Sequence, residues 1–576
     1  MSKYAKAKIK EKKIDPFGSP ICYLMAICPF LMGLVQEYWI LWSALVVLVV
    51  LLLCAWQKRE IRLHMNPAVY VGLAMLVLSI LSVFTGMLHG EAVYGALRIL
   101  CAAIWVLLLM QLSDEEKSLS LTMVPEVAAV MTIISALLFT MGSAAEFVFS
   151  HGRMGGFFQY ANTFALYLLL AFVIRTNQNT DMNPKDKKEQ IKKYLYPVIY
   201  LIGILWSGSR TTFFLTAIVL VMSLFRRKEM RKYYGTLILV GMLAVIAYVL
   251  LTGKTDSIGR FLTTSLSSST LVGRILYWKD ALKLIVQHPF GLGYMGYYFI
   301  QGKVQSGVYT VAYVHNEWLQ MALDFGILFW VCFVVLFVYQ IRHTKGMRRD
   351  LLLLIGIHMI MDFDLQYFTI VWLMLLCMNW TEGKTVVWEL EKKKYRKPLV
   401  MVGSVMWIAV SIWLGLGNMF YEFENYATSV LVYPWSIRAQ ERYLLAANTE
   451  KEYEERAKRA LELYAEDAPA LDVMALCEAE RGNYLKVEEY KHHSLLVQKY
   501  RTECYDDYIM MMDTGAQQYK ETGDEAAYKK CVEAILSTPK MLEKVKENTS
   551  SLAYKINDKP SFELSAKSQK IMRKYQ

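Results

Sequence analysis

Few reactive side chains in this 576-residue chain lack an obvious structural duty. They are His315 with Asn316 beside it, four arginines at Arg153, Arg210, Arg260 and Arg274, and the carboxylates Asp362 and Asp364. An imidazole, with an unperturbed pKa near 6.5, can take a proton from a hydroxyl at neutral pH. A guanidinium offers a planar fork of donors suited to phosphate and keeps its charge at any relevant pH. Taken together, the set is a general base beside an anion cradle. Taken singly, each has a plainer duty: a histidine where a loop meets a helix is usually a cap or surface group, and an exposed arginine pairs with Asp256, Asp280 or a lipid headgroup. His151 and His288 are weaker candidates. His358 stands four residues before Asp362 and is expected to share its helix face.

Several chemistries find no residues to carry them. There is no G-x-x-x-x-G-K-[ST] loop for a nucleotide phosphate and no His-Glu-x-x-His for zinc. The glycines of HPFGLGYMGY neither follow a strand nor open a dinucleotide-binding unit. Of nine cysteines, six lie in apolar segments, and Cys477, Cys504 and Cys531 are too widely spaced to read as a disulfide framework.

What positions the candidates is an all-α, polytopic membrane architecture. The chain is 55% hydrophobic and 20% charged, with runs such as Trp39–Trp56 free of charge over the length of a bilayer crossing. Thirteen apolar segments fall between residues 20 and 417, which predicts about thirteen transmembrane helices. The first, 20–37, follows six lysines and has no A-x-A cleavage site after it, so it reads as an uncleaved first helix. Placing segment 1–19 in the cytoplasm puts 31 Lys and Arg in inner loops and eight in outer ones. The runs 194–225 and 350–380 are flanked by basic clusters at both ends, so each is a hairpin turning outward, at Ser207–Arg210 and at Asp362–Asp364. A single helix is expected over 399–417. All the candidate residues then lie on the outer face, in the loop 142–160, the two hairpin turns and the long loop 253–315. The net charge of +12 is therefore a membrane-orienting charge and no sign of nucleic acid.

Beyond residue 420 the character changes, with 23 Lys and Arg against 27 Asp and Glu. Residues 421–576 read as amphipathic helices in an extracytoplasmic, repeat-like domain, with turns at Gly482 and Gly523. The pairs resemble tetratricopeptide repeats, although the 41-residue spacing exceeds the 34 of that repeat. Segment 545–576, rich in Lys and Ser, is expected to fray.

Four stretches carry a resemblance to the O-antigen ligase/polymerase superfamily: RMGGFFQYAN at 153–162, SGSR at 207–210, GRILYW at 273–278 with HPFGLGY at 288–294, and HNEWLQMALDFG at 315–326. The resemblance implies an inverting, metal-independent glycosyltransferase without cofactor in the multi-pass domain 20–420, seated in the cytoplasmic membrane. Its donor would be an undecaprenyl-diphosphate-linked glycan, its acceptor a glycan, lipid or protein. By the same resemblance Arg210 and Arg274 would hold the diphosphate and His315 would deprotonate the acceptor hydroxyl. Arg153, Arg260 and Asn316 would add phosphate or glycan contacts, with Asp362, Asp364 and Asn162 in support. Tyr277, Trp278, Tyr294, Tyr297, Tyr298, Tyr309 and Tyr313 offer faces for sugars or, equally, interfacial anchors. Two other readings remain at this point: a ligase loading glycan onto a protein or cell-wall polymer, and a non-catalytic transporter of lipid-linked glycans.

Overall fold

The computed structural model describes residues 19–178, 187–226, 230–252 and 269–576. Arg260 and Asp256 lie outside the described residues. The described chain is helical almost throughout, as its pattern requires, with two small antiparallel strand pairs. By length and composition, five helices among the described residues are long and apolar enough to cross a membrane: Glu37–Lys58, Pro67–Thr85, His89–Leu109, Asp114–Phe139 and Arg396–Glu422. Several other apolar segments are shorter, broken or tucked inside.

Segment 20–37 is not one helix. Pro20–Ile27 ends in 3₁₀ turns, and Met32, Gly33 and Leu34 all have positive φ. Eight helical residues rise about 12 Å, well short of a bilayer. Residues 317–340, another of the thirteen apolar segments, likewise form two helices, Glu317–Phe325 and Ile327–His343, parted at Gly326 with φ +88°. There the chain packs backbone on backbone: a Cβ on Gly326 would meet the Phe290 carbonyl carbon at 2.6 Å, and one on Gly291 would meet the Gly326 nitrogen at 2.6 Å. Leu292 and Gly293 donate backbone hydrogen bonds to Leu323 and Asp324, so the HPFGLGY turn fixes the end of the helix that begins after His315.

The two hairpins form as their polar turns predict. Lys187–Ser207 and Arg210–Arg226 are parted at Gly208, and Gly346–His358 and Phe368–Cys377 at Met359–Tyr367. At the centre stands Ala161–Gln178, buried on nearly every side from its first turn to Thr176. A helix apolar all round belongs in an interior, and the wholly buried Phe368–Cys377 is its counterpart.

Segments assigned to the basic face touch one another. Glu60–Met65 pairs antiparallel with Lys384–Glu389, Lys58 donates to the Gln111 carbonyl, and Arg348 reaches Ser118 at 3.0 Å. On the other side the tail docks against the long loop. Its elbow is bound to the start of His89–Leu109 by Arg438 and Ser436, which reach Glu91 at 2.9 and 2.7 Å. After Ile437–Leu445 and Glu450–Leu463 come the helix pairs Ala468–Glu480/Tyr484–Val497 and Thr502–Thr522/Glu525–Glu547, each turning at its expected glycine, Gly482 and Gly523, with φ of +73° and +77°. Segment 545–576 does not fray. Ser550 donates to the Ser306 carbonyl, and Ala566–Tyr575 folds back so that Tyr575 and Lys574 meet Asp513 at 2.6 and 2.9 Å.

Candidate active site

The centre of the cluster is Asp362. Its carboxylate is 2% exposed and gathers four side-chain donors: Tyr160 Oη at 2.8 Å, Asn162 Nδ2 at 2.6 Å, His315 Nδ1 at 3.3 Å and Arg274 Nη2 at 3.4 Å. Each donor arrives from the start of, or within, a packed helix. Tyr160 and Asn162 lead into the central helix, Arg274 lies on Ser269–Gln287, and His315 closely precedes the helix Glu317–Phe325. A buried carboxylate is costly unless charge and hydrogen bonds compensate it. Asp362 is supplied with both.

Glu317 holds the hairpin turn against His315. Its backbone N–H donates to the carbonyls of Met359 and Asp362, and its buried carboxylate accepts from Leu365 N and Gln366 Nε2 at 3.1 and 2.9 Å. His315 itself has φ +51°, a left-handed conformation that a β-carbon disfavours. Strain of that kind persists only where the surroundings over-determine it, and it gathers at working sites.

The imidazole donates Nδ1–H to Asp362, which leaves the Nε2 lone pair for a substrate proton. His315 and Arg274 open onto a polar cavity of about 230 Å3 that also includes Tyr277, Ser269, Thr270, Val308 and the tail residues Ile556, Asn557 and Asp558. Arg274, 13% exposed, uses one N–H on Asp362 and keeps the rest of its fork for another anion. Burial holds the Tyr277 phenol above its usual range, against the Arg274 charge and with the Asp558 carboxylate adding, so it stays a neutral donor. A wider apolar cleft of about 290 Å3 inside the bundle holds neither His315 nor Arg274, so it is not where this chemistry would occur.

The remaining candidates differ in how close they come to this centre. Arg153, beyond a His151–Gly152 turn with both φ positive, spans Ser207 O at 2.7 Å and Asn162 Oδ1 at 2.6 Å. It thus orients the amide that bonds Asp362. Arg210 is half-buried at the start of its helix and makes no hydrogen bond or ion pair among the described residues. Asn316 caps Glu317–Phe325 by accepting from Leu319 N at 3.1 Å and is not part of the cavity wall. His358 pairs with Asp364 at 2.6 Å and not with Asp362, because its helix ends at His358 and the chain turns before Asp362. Asp364 also accepts from Thr163, and His358 reaches Thr212, so this second pair ties the central helix to the hairpin and is fully enclosed. Asp280 is occupied by Ser306 and Tyr309 and is no arginine's partner among the described residues. Of the seven aromatics, only Tyr277 lines the cavity; Tyr294 and Tyr313 join the buried Arg98–Glu37 pair, which no sequence pattern marks.

Residues 195–334 match the sequence model of a family described as O-antigen ligase. The resemblance to the O-antigen ligase/polymerase superfamily stands. The matched stretch contains Arg210, Arg274 and His315, while Tyr160, Asn162, Asp362 and the tail lie outside it. No curated protein matches the chain. The sequence pattern singles out Arg153 and Asn162 but not Tyr160 or Glu317, although both stand inside the motifs RMGGFFQYAN and HNEWLQMALDFG. Their signal is a polar side chain at the entry to an apolar helix.

Proposed function

We propose that this O-antigen-ligase-like membrane protein transfers a glycan from an undecaprenyl-diphosphate carrier to an acceptor hydroxyl at the outer face of the cytoplasmic membrane. The observation that carries this reading is the buried Asp362, which orients His315 and holds Arg274 at the edge of one polar cavity. His315 Nε2 takes the proton as the acceptor oxygen attacks the anomeric carbon. The bond from that carbon to the diphosphate oxygen breaks on the opposite face, which inverts the configuration. The electron pair leaves on the diphosphate, where the free N–H groups of Arg274, with Arg210 and Arg153 as further cationic contacts, meet the developing charge. Asp362 stays ionised and stabilises the imidazolium it orients, as a carboxylate does behind any histidine base.

The reading is tested in cells by His315→Ala and Arg274→Ala at matched protein abundance. Loss of surface glycan transfer, with accumulation of lipid-linked glycan, is the expected result. Normal surface glycan in both variants would overturn the assignment.

A further inference from the structure

The tail reaches into the cavity. After Glu525–Glu547 the chain crosses back to the helix Ser269–Gln287 as a short strap, bound at one end by Ser550 N to Ser306 O and at the other by Asn557 N to Ser269 Oγ at 2.9 Å. Between these ties Ala553 and Ile556 are buried against Val272, Leu276 and Tyr309. Gly307 allows the approach, since a Cβ there would meet Ala553 Cβ at 2.7 Å and Leu276 Cδ2 at 2.8 Å. The strap is therefore seated by packing, and Asn557 and Asp558 at its end stand in the same cavity as His315 and Arg274. Among the described residues, the Asp558 carboxylate makes no hydrogen bond or ion pair and the Asn557 side chain makes no hydrogen bond.

We propose that Asn557 and Asp558 form a sugar-hydroxyl subsite, by which the tail selects the glycan acceptor presented to His315. The inference rests on the transfer reaction above. The cavity is divided in charge. Arg274 suits a phosphate, whereas the Asp558 carboxylate in the same wall repels a diphosphate and accepts hydrogen bonds from a diol. An amide beside it both donates and accepts, which suits a ring bearing several hydroxyls. Tyr277, in the same wall, offers an aromatic face to the C–H side of a pyranose. Arg274, with Arg210 and Arg153, would then hold the donor diphosphate whatever the acceptor, His315 would deprotonate the acceptor hydroxyl, and the tail would set which acceptor is used.

The test uses the full-length protein in detergent, with lipid-linked glycan extracted from the expressing cells as donor at fixed concentration and the same glycan released from its lipid as the varied acceptor, and compares wild type with Asn557→Ala, Asp558→Asn and Asp558→Ala. Both residues are exposed, outside the packed part of the strap, so a folded protein is expected, and its melting temperature confirms this. Losing a hydrogen bond to a charged group predicts about a tenfold or greater rise in KM for the acceptor in the Asp558 variants, with kcat within about twofold. Unchanged KM, or a fall in kcat at constant KM, would overturn the subsite. Failure of the transfer reading is distinguishable, because then His315→Ala and Arg274→Ala would also leave turnover intact.

Discussion

Asp362→Asn leaves the side-chain volume almost unchanged and removes one charge, so its effect is set by the four donors around it. The wild-type carboxylate accepts from Tyr160, Asn162, Arg274 and His315 through its two oxygens. An asparagine offers one acceptor oxygen and presents N–H groups to the donors on its other side. With its Oδ1 toward Tyr160 and His315, its Nδ2 faces Asn162 Nδ2 and Arg274. With the opposite flip it faces the imidazole and favours the tautomer with Nδ1 unprotonated, which leaves Nε2 protonated and unable to accept the substrate proton. Either way Arg274 loses its buried counter-charge. Breaking one partner of a buried ion pair costs about 3–5 kcal/mol, part of which a 13%-exposed arginine recovers from water. A loss of about 3–4 kcal/mol of transition-state stabilisation, the lower part of that range, would be about 10²–10³-fold in turnover. The assay is glycan transfer by purified protein alongside thermal unfolding, with Asp364→Asn as comparator. Asp364 binds only enclosed groups, so its substitution should lower the melting temperature at least as much. Asp362→Asn should lose the greater share of activity in the protein that remains folded. Activity within about threefold of wild type in folded Asp362→Asn would refute the orienting role.

Gly326→Ala should abolish stable expression, because a left-handed residue with a Cβ 2.6 Å from the Phe290 carbonyl carbon has nowhere to move; in-gel fluorescence of a tagged protein reads this. In the tail, burial first and then nearby Glu441 raise Asp467 to about 7 from an ordinary value near 4. The folded state then holds a proton that the unfolded chain has lost, so this group's contribution to stability falls as pH rises from about 4 to about 7. Asp467→Asn keeps the cap on Ala470 and should remove that slope, raising the melting temperature by about 2–4 °C at pH 7.5 and by little at pH 4.5. Cys477, Cys504 and Cys531 are buried, so they are poor reporters of sidedness. Lys529→Cys, at a side chain 74% exposed, should react with a membrane-impermeant maleimide in intact cells if the tail is extracytoplasmic, and reaction only after lysis would reverse the topology.

The helical, membrane-embedded character of the chain is legible in the sequence because apolar periodicity and charge asymmetry are local signals. The hairpins at 194–225 and 350–380 are legible for the same reason, since basic residues mark both ends of each. Where helices break is less so. Segments 20–37 and 317–340 are largely apolar, and only the close approach of Gly33 to Phe158 and of Gly326 to Phe290 shows that neither is a single helix. In the site, the motifs pick out His315, Arg274 and Arg153 as singular residues. Asp362, the anchor that His315 and Arg274 share, is 47 residues beyond His315, a separation at which no spacing rule applies. His358 shows the same limit: an i, i+4 argument presumes a continuous helix, and the helix ends at His358. Asn557 and Asp558 sit in a polar stretch with no motif, and only the fold brings them to the cavity.

Release of undecaprenyl diphosphate by the purified full-length protein, given lipid-linked glycan, tests the proposed transfer most directly. Wild type should release it with transfer of the glycan, and His315→Ala and Arg274→Ala should not. Glycan transfer that proceeds equally in those variants, or wild-type protein that binds the donor and releases no undecaprenyl diphosphate, would contradict the assignment.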